Sequence, residues 1–358
     1  MMIGERLRIA RRKSGLSLRN LADRMEGQIT HAAIGKYERD EMEPSSSVLI
    51  ALAKALAVSL EFLAAPMDIR LGSLEFRKKS GTSAPDRALV EALVLEHVER
   101  YLMIEEILDL DSSTWKVPFA PKIVRDFEDA ESIAKEARAK WNLGNDPLSD
   151  VTELLEERGI KVMVLPLPAS VSGLTCLVER PDQPPVPVIV VNKAFTLERR
   201  RFTLLHELGH RLMRVTGVDE EKSAHRFASA FLMPDDHLKE TVGRHRNGFG
   251  FSELVATKHL YGVAATALLM RFRDLGIISQ EQLGSYFQTT ARHWRKSEPR
   301  PLDPKLGIEE PQRFKRLCYR ALAEQMITVP KAADLLQESV AVIAKEMRGD
   351  DTPEDRSK

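Results

Sequence analysis

Cysteine is nearly absent: among 358 residues only Cys176 and Cys318 carry a thiol, and they stand far apart. Two isolated thiols give no disulfide framework and no C-x-x-C zinc module, so any metal has to be held by histidines and carboxylates. Excess charge of either sign is also missing. The 53 basic and 53 acidic residues sum to a formal charge of zero, so the molecule as a whole does not announce a polyanionic partner. Long apolar runs are lacking too, since even the stretch from Leu49 to Pro66 is broken by Lys54 and Glu61. Where a secretory segment would be apolar, Met1–Gly15 carries Glu5, Arg6, Arg8, Arg11, Arg12 and Lys13. These absences predict a cytoplasmic protein with no membrane partner.

What remains is ordinary for globular protein: 43% hydrophobic and 30% charged residues argue against wholesale disorder. The length predicts two or three domains. The expected class is multidomain and mainly α: an N-terminal five-helix unit, an α+β domain with a small sheet, and a helical C-terminal region. The expected boundaries are 1–66, a helical linker at 67–125, 126–290, and 291–358 with a frayed polar tail after Gly349. No internal repeat is evident.

The first 66 residues read as short helices at Gly4–Ser14, Ser17–Met25, Thr30–Arg39, Ser46–Ala57 and Ser59–Leu63. Ser17 and Thr30 are placed to cap two of them, and Gly27, Pro44 and the serines at 45–47 mark breaks. This segment holds a modest local excess of Lys/Arg, with five basic residues crowded between Arg6 and Lys13. Regular apolar spacing then predicts one long helix over Ala84–Leu110, followed by a loop at Trp115–Pro121. Further helices are expected at Ala130–Trp141 and Asp150–Arg158, and strands at Ile160–Leu165, Leu174–Glu179 and Val186–Val191. Pro181, Pro184 and Pro185 read as the loop between the last two strands. Helices resume at Thr196–Val215 and Asp219–Met233. The closing segments Phe314–Met326, Pro330–Leu336 and Val340–Met347 read as a packing or dimerisation appendage.

Residues 206–210 are His-Glu-Leu-Gly-His, an H-E-x-x-H motif within the segment expected to be helical over Thr196–Val215. Positions i and i+4 share a helix face, so His206 and His210 can present two imidazoles to one ion. Glu207 falls beside them, where it can act as general base toward a water attacking a peptide carbonyl. A catalytic zinc needs a third protein ligand. The longer H-E-x-x-H-x-x-G-x-x-H pattern is excluded by Met213 and Thr216. Asp219, Glu220 and Glu221 open the next helix after Gly217. Glu221 is favoured among them, because it stands at the foot of a stripe with Ala224, His225 and Ala228.

The run Arg201–His210, followed by Glu221-x-x-Ala224-His225-Arg226-Phe227-Ala228 and Phe231-Leu232-Met233-Pro234, resembles the ImmA/IrrE family of metallopeptidases over about Asp129–Asp274. The resemblance implies that His206, His210 and Glu221 hold Zn2+ and that Glu207 is the general base. Position 225 departs from it, carrying His where the family has Asn or Asp. His225 is read as an outer partner of the site, an extra ligand, a neutral substitute, or a partly buried polar helix residue with no part in the site.

The pattern Leu21-Ala22-Asp23-Arg24-Met25, Thr30–Arg39 and Pro44-Ser45 resembles the XRE, or phage-repressor-like, helix-turn-helix family over residues 2–66. On that resemblance Thr30, His31, Ala33 and Gly35 face base edges, and Arg11, Arg12, Lys36 and Arg39 contact phosphates. His31 stands where the family usually has Gln, so bidentate adenine readout is absent.

Together the resemblances imply a DNA-binding transcriptional regulator whose zinc-dependent endopeptidase domain cleaves a regulatory, repressor-like protein. The partners are then a double-stranded operator, that protein substrate and a second copy of the chain. The competing expectation is a non-proteolytic XRE-type or antitoxin-like repressor whose peptidase-like domain senses metal or a partner.

Overall fold

The structure, a computed structural model, describes residues 3–65, 69–72, 83–112, 115–303 and 309–348. The expected domain end at residue 66 and the polar tail after Gly349 lie outside the described residues. The chain is multidomain and mainly α, and contacts divide it into two compact units. The first comprises Met1–Asp111, Leu177–Pro185 and Arg320–Lys358, and the second Ser112–Cys176 and Val186–Tyr319. This grouping places the long helix with the N-terminal helices, whereas a four-part division at 66, 125 and 290 is a proposal about folding units that limited proteolysis would test.

In the first unit, α1 (Gly4–Lys13), α2 (Leu18–Arg24), α3 (His31–Glu38), α4 (Ser46–Leu56) and α5 (Leu60–Ala64) surround a core of Leu7, Leu21, Ile34, Leu52 and Leu63. Four of these helices start on a capping hydroxyl, from Ser17, Thr30, Ser45 and Ser59. The long helix α6 (Ala84–Ile107) begins at Ser83 and packs along α1. Arg6 pairs with Glu99, Arg12 with Glu91 and Lys13 with Glu96. The basic crowd on α1 is therefore largely matched by acids of the same unit. Part of the expected helical linker is instead a short strand, β1 (Arg70–Leu71).

The second unit runs through β2 (Lys122–Val124), α7 (Phe127–Lys140), α8 (Val151–Glu157) and β3 (Lys161–Leu165), then the hairpin strands β4 (Gly173–Arg180) and β5 (Gln183–Asn192). It continues with α9 (Leu197–Leu212), β6 (Met213–Val215), α10 (Glu220–Leu232), α11 (Asp235–Val242), α12 (Phe251–Tyr261), α13 (Ala265–Asp274) and α14 (Gln280–Gln288). The last helices among the described residues are α15 (Arg313–Ala323), which crosses from the second unit to the first at Arg320, and α16 (Val329–Leu336) and α17 (Val340–Arg348), which belong to the first unit. β3 pairs in parallel with β5, Lys161 opposite Val188 through Leu165 opposite Asn192. The distal end of β4 lies in the first unit, where β1 pairs antiparallel with it, Arg70 opposite Glu179.

The structure departs from two of the sequence expectations. The hairpin turn is only Pro181-Asp182, with Asp182 at φ 54°, and Pro184 and Pro185 lie inside β5. The parallel pairing with β3 begins only at Val188, so prolines before it cost no bond on that side. The motif helix also ends at Leu212, because Met213–Val215 pairs in parallel with Lys122–Val124.

A buried carboxylate supplies one testable property of this unit. Glu156, on α8, accepts a hydrogen bond from the Arg313 backbone, yet burial pushes its carboxyl up to about 7. An acid whose folded pKa is raised favours the fold while protonated, and that contribution is lost as pH rises from about 4.5 to 7. At about 1.36 kcal/mol per pKa unit, holding it ionised costs on the order of 3 kcal/mol. Glu156→Gln is expected to gain stability relative to wild type between pH 5 and pH 8. A stability difference that is flat across that range contradicts the assignment.

Candidate functional site

α9 carries the H-E-x-x-H motif and is held from both sides. Leu197, Leu204, Leu205, Leu208 and Leu212 recur at helical spacing and are buried. Its first turns carry charge, and Glu198, Arg200 and Arg201 each have a partner of opposite sign. Glu198 pairs with Lys258 at 2.8 Å, both fully buried. Arg200 meets Glu310 at 2.9 Å, and Arg201 pairs with the buried Glu309 while donating to the Ser149 and Leu148 carbonyls. Glu309 also accepts from the Val151 and Thr152 backbones, which ties the start of α8 to α9.

α10 packs against α9 and α7 through Ala224, Phe227, Ala228 and Phe231, starting from an Asp219 cap that accepts from the Lys222 backbone. Asp219 is thus occupied as a helix cap. Contact between α9 and α10 depends on Gly209, where an added Cβ would stand 2.9 Å from the Phe227 ring. On the other side of α9, a Cβ on Gly173 of β4 would meet the Thr203 methyl at 2.5 Å. Gly209→Ala gains up to about 1 kcal/mol of helix propensity but overpacks the interface by about 1–3 kcal/mol, so net destabilisation is expected. All three tryptophans, Trp115, Trp141 and Trp294, lie in the second unit, so their fluorescence during urea unfolding reads this change. An unchanged or higher midpoint would show that the helices tolerate the methyl.

This close approach brings three donors together. His206 Nε2 and His210 Nε2 are 2.9 Å apart, and the Glu221 carboxylate lies 3.4 Å from the first and 3.8 Å from the second. Among the described residues these three form the one group of histidine, cysteine or carboxylate side chains placed to hold a metal. Four ligands at about 2.0–2.1 Å in a tetrahedron stand about 3.3 Å apart, so the observed separations fit a small cation with two imidazoles and one carboxylate. The buried Nδ1 of His206 has no hydrogen-bond partner among the described residues, so packing orients that ring. Glu207 is buried on the same helix. His225 is exposed beside the group, its ring centroid 4.6 Å from that of His206 and stacked on Phe202 at 5.7 Å. Phe202 was not singled out from the sequence, although it sits one turn before His206 on α9.

On the helix-turn-helix, Thr30 caps α3 and, like His31, Lys36 and Arg39, is exposed, while Ala33 is half-buried. Two expectations fail. Gly35 is buried, with its Cβ position 3.6 Å from Leu18 of α2, because Ile34 and Tyr37 turn that side of α3 inward. Arg11 is committed to Glu38 through two hydrogen bonds and to the Leu16 carbonyl. Arg12 faces Glu91 at 3.2 Å, and Arg39 pairs with the neighbouring Glu41. The outward row of α3 is Ala32, Lys36 and Arg39, at i, i+4 and i+7, and the helical period would have identified Ala32.

Residues 155–273 match the family model described as IrrE N-terminal-like domain, and residues 7–63 match one described as Helix-turn-helix. The chain joins an XRE-type helix-turn-helix to an IrrE-like domain. The chain is also 30% identical over 93 residues to the HTH-type transcriptional regulator ImmR of Bacillus subtilis (strain 168). That match covers 26% of this chain and 66% of the regulator, just under two thirds of its length. No solved structure matches the chain. The helix-turn-helix is a DNA-binding domain, and the IrrE-like domain belongs to a metallopeptidase-like family. No helix among the described residues is long and apolar enough to cross a membrane.

Proposed function

We propose that the chain is a cytoplasmic, zinc-dependent endopeptidase that its helix-turn-helix brings to DNA, and that it cleaves a regulatory protein at or near an operator. The observation that carries this reading is the approach of His206, His210 and Glu221 to within ligand distance of one another, with Glu207 buried on the same helix. A zinc ion held by those three side chains would polarise the scissile carbonyl and acidify a water. Glu207 takes the proton of the attacking water and delivers it to the leaving nitrogen. Glu221 reaches the histidines from a second helix, so α9–α10 packing sets the ligand geometry. Exposed His225 and half-buried Phe202 form a rim beside them, where a substrate backbone would pass.

Thr30, His31, Ala32, Ala33, Lys36 and Arg39 supply the groove-facing end of α3, and Arg12 can exchange its partner Glu91 for a phosphate. A regulatory setting is supported by the likeness of one stretch to an HTH-type transcriptional regulator. Operators read by helix-turn-helix proteins are commonly two-fold, so a second copy is the expected partner on DNA. The metal reading is tested by elemental analysis of the purified full-length chain. One zinc per wild-type chain is expected, with loss from His206→Ala and Glu221→Ala and retention in Glu220→Ala. Equal content in all four proteins contradicts the ligand set.

A further inference from the structure

The C-terminal helices repeat the local structure of the N-terminal reader, beyond anything the family matches cover. The α2–α3 pair starts on a Ser17 cap, turns through Glu26 and Gly27 at positive φ, and restarts on a Thr30 cap. The α16–α17 pair starts on a Thr328 cap, turns through Gln337 at φ 56°, and restarts on Ser339, whose hydroxyl accepts from the Val342 backbone. Counted from the first cap, Leu21-Ala22-Asp23 corresponds to Ala332-Ala333-Asp334, in each case two buried apolar residues and an exposed Asp. Counted from the second cap, the fourth residue is a fully buried isoleucine in both, Ile34 and Ile343. The sixth is lysine in both, Lys36 and Lys345, and the ninth is arginine in both, Arg39 and Arg348. The second copy is two residues shorter between caps, which hides the repeat in an ungapped reading of the sequence.

Exposure repeats at the second cap and the two residues after it, Thr30-His31-Ala32 and Ser339-Val340-Ala341. The first turn of α17, Ser339-Val340-Ala341-Val342, faces outward, with Val340 50% and Val342 44% exposed. The pair α12–α13 has the same kind of turn at Gly262, but no residue of its first turn is exposed, Ala265 is buried, and the Ala265 backbone N–H donates to Glu298. Both exposed pairs lie in the same compact unit: Glu91, Glu96 and Glu99 of α6 hold α1, the helix that precedes the first pair, while Arg100 of α6 donates to the Leu335 carbonyl at the end of α16.

We propose that α16–α17 is a second helix-turn-helix that presents the first turn of α17 to the major groove of double-stranded DNA. One chain then contacts two groove segments. Val340, Ala341 and Val342 are small enough for close approach and suit thymine methyl groups, while Lys345 and Arg348 correspond to Lys36 and Arg39, the phosphate contacts of the reading proposed above, on which this inference rests. The preference of the second element is accordingly for A·T-containing steps.

The test uses the full-length chain and selection from a random 40-base-pair duplex pool, followed by footprinting and salt titration of the selected site. Wild type is compared with Lys36→Glu, with the double variant Lys345→Glu/Arg348→Glu, and with Val342→Asn, which leaves the charge unaltered. The double variant is expected to shorten the footprint and lower the logarithmic salt slope by about 2. Val342→Asn is expected to shift the selected bases within one element only, and Lys36→Glu to weaken the other. The proposal is overturned if the α17 variants keep the wild-type footprint, slope and selected sequence while Lys36→Glu does not, an outcome that leaves the first helix-turn-helix intact as a reader. It is equally overturned if they change only the oligomeric state, which would make α17 a self-association face. Failure of wild type to select any duplex rejects both readers.

Discussion

Glu309→Ala is expected to destabilise the IrrE-like unit by about 3–5 kcal/mol, because it strands the guanidinium of Arg201 in the interior. Arg201 is 1% exposed and Glu309 is fully buried, so water cannot take over as partner. Burial raises the Glu309 carboxyl above its ordinary range while Arg201 opposes that rise, which keeps the pair mutually dependent. The same carboxylate accepts from Val151, Thr152 and the Thr152 hydroxyl, so its loss also frees the start of α8. Replacing both charges, as Arg201→Met with Glu309→Leu, removes the uncompensated charge and is expected to recover much of the loss. Tryptophan fluorescence during urea unfolding separates this unit from the other, which has no tryptophan. A single-variant loss below about 1 kcal/mol would mean that solvent reaches Arg201.

Glu207→Gln is expected to lower peptide hydrolysis by about 10²–10⁴-fold while leaving metal content unchanged. The amide preserves volume and hydrogen bonding but cannot accept the proton of the attacking water. His206, His210 and Glu221 are untouched by the change, so metal binding and hydrolysis separate. Simultaneous loss of zinc and activity would instead give Glu207 a structural part in the ligand group.

How much of this could be read from the sequence depended on the range of the interaction. The i, i+4 pair His206 and His210 and the break at Gly217 before Glu221 are local, and they were legible. So were the hydroxyl caps at Ser17 and Thr30, which set the helix-turn-helix boundaries. The end of the motif helix was not, because Met213–Val215 becomes a strand only through pairing with residues 122–124. Arg11 looked like a phosphate contact because its partner, Glu38, comes from a different helix. Gly35 looked outward because its burial depends on where Leu18 lands. The Arg201–Glu309 pair spans 108 residues, and no local pattern signals it. The repeat at α16–α17 is hidden in the sequence by its shorter turn, and it is the caps and positive-φ residues of the folded chain that carry it.

The central claim is that the chain cuts a regulatory protein using Glu207. The most direct measurement labels new protein N-termini in cells expressing wild type or Glu207→Gln at equal levels, with zinc content determined for both purified proteins. Equal zinc, a small set of new termini in wild type alone, and a DNA-binding regulator among the cleaved proteins are expected. Equal zinc with identical termini in both, under conditions of metal excess and stress, would contradict that claim and leave the IrrE-like domain as a metal-binding sensor.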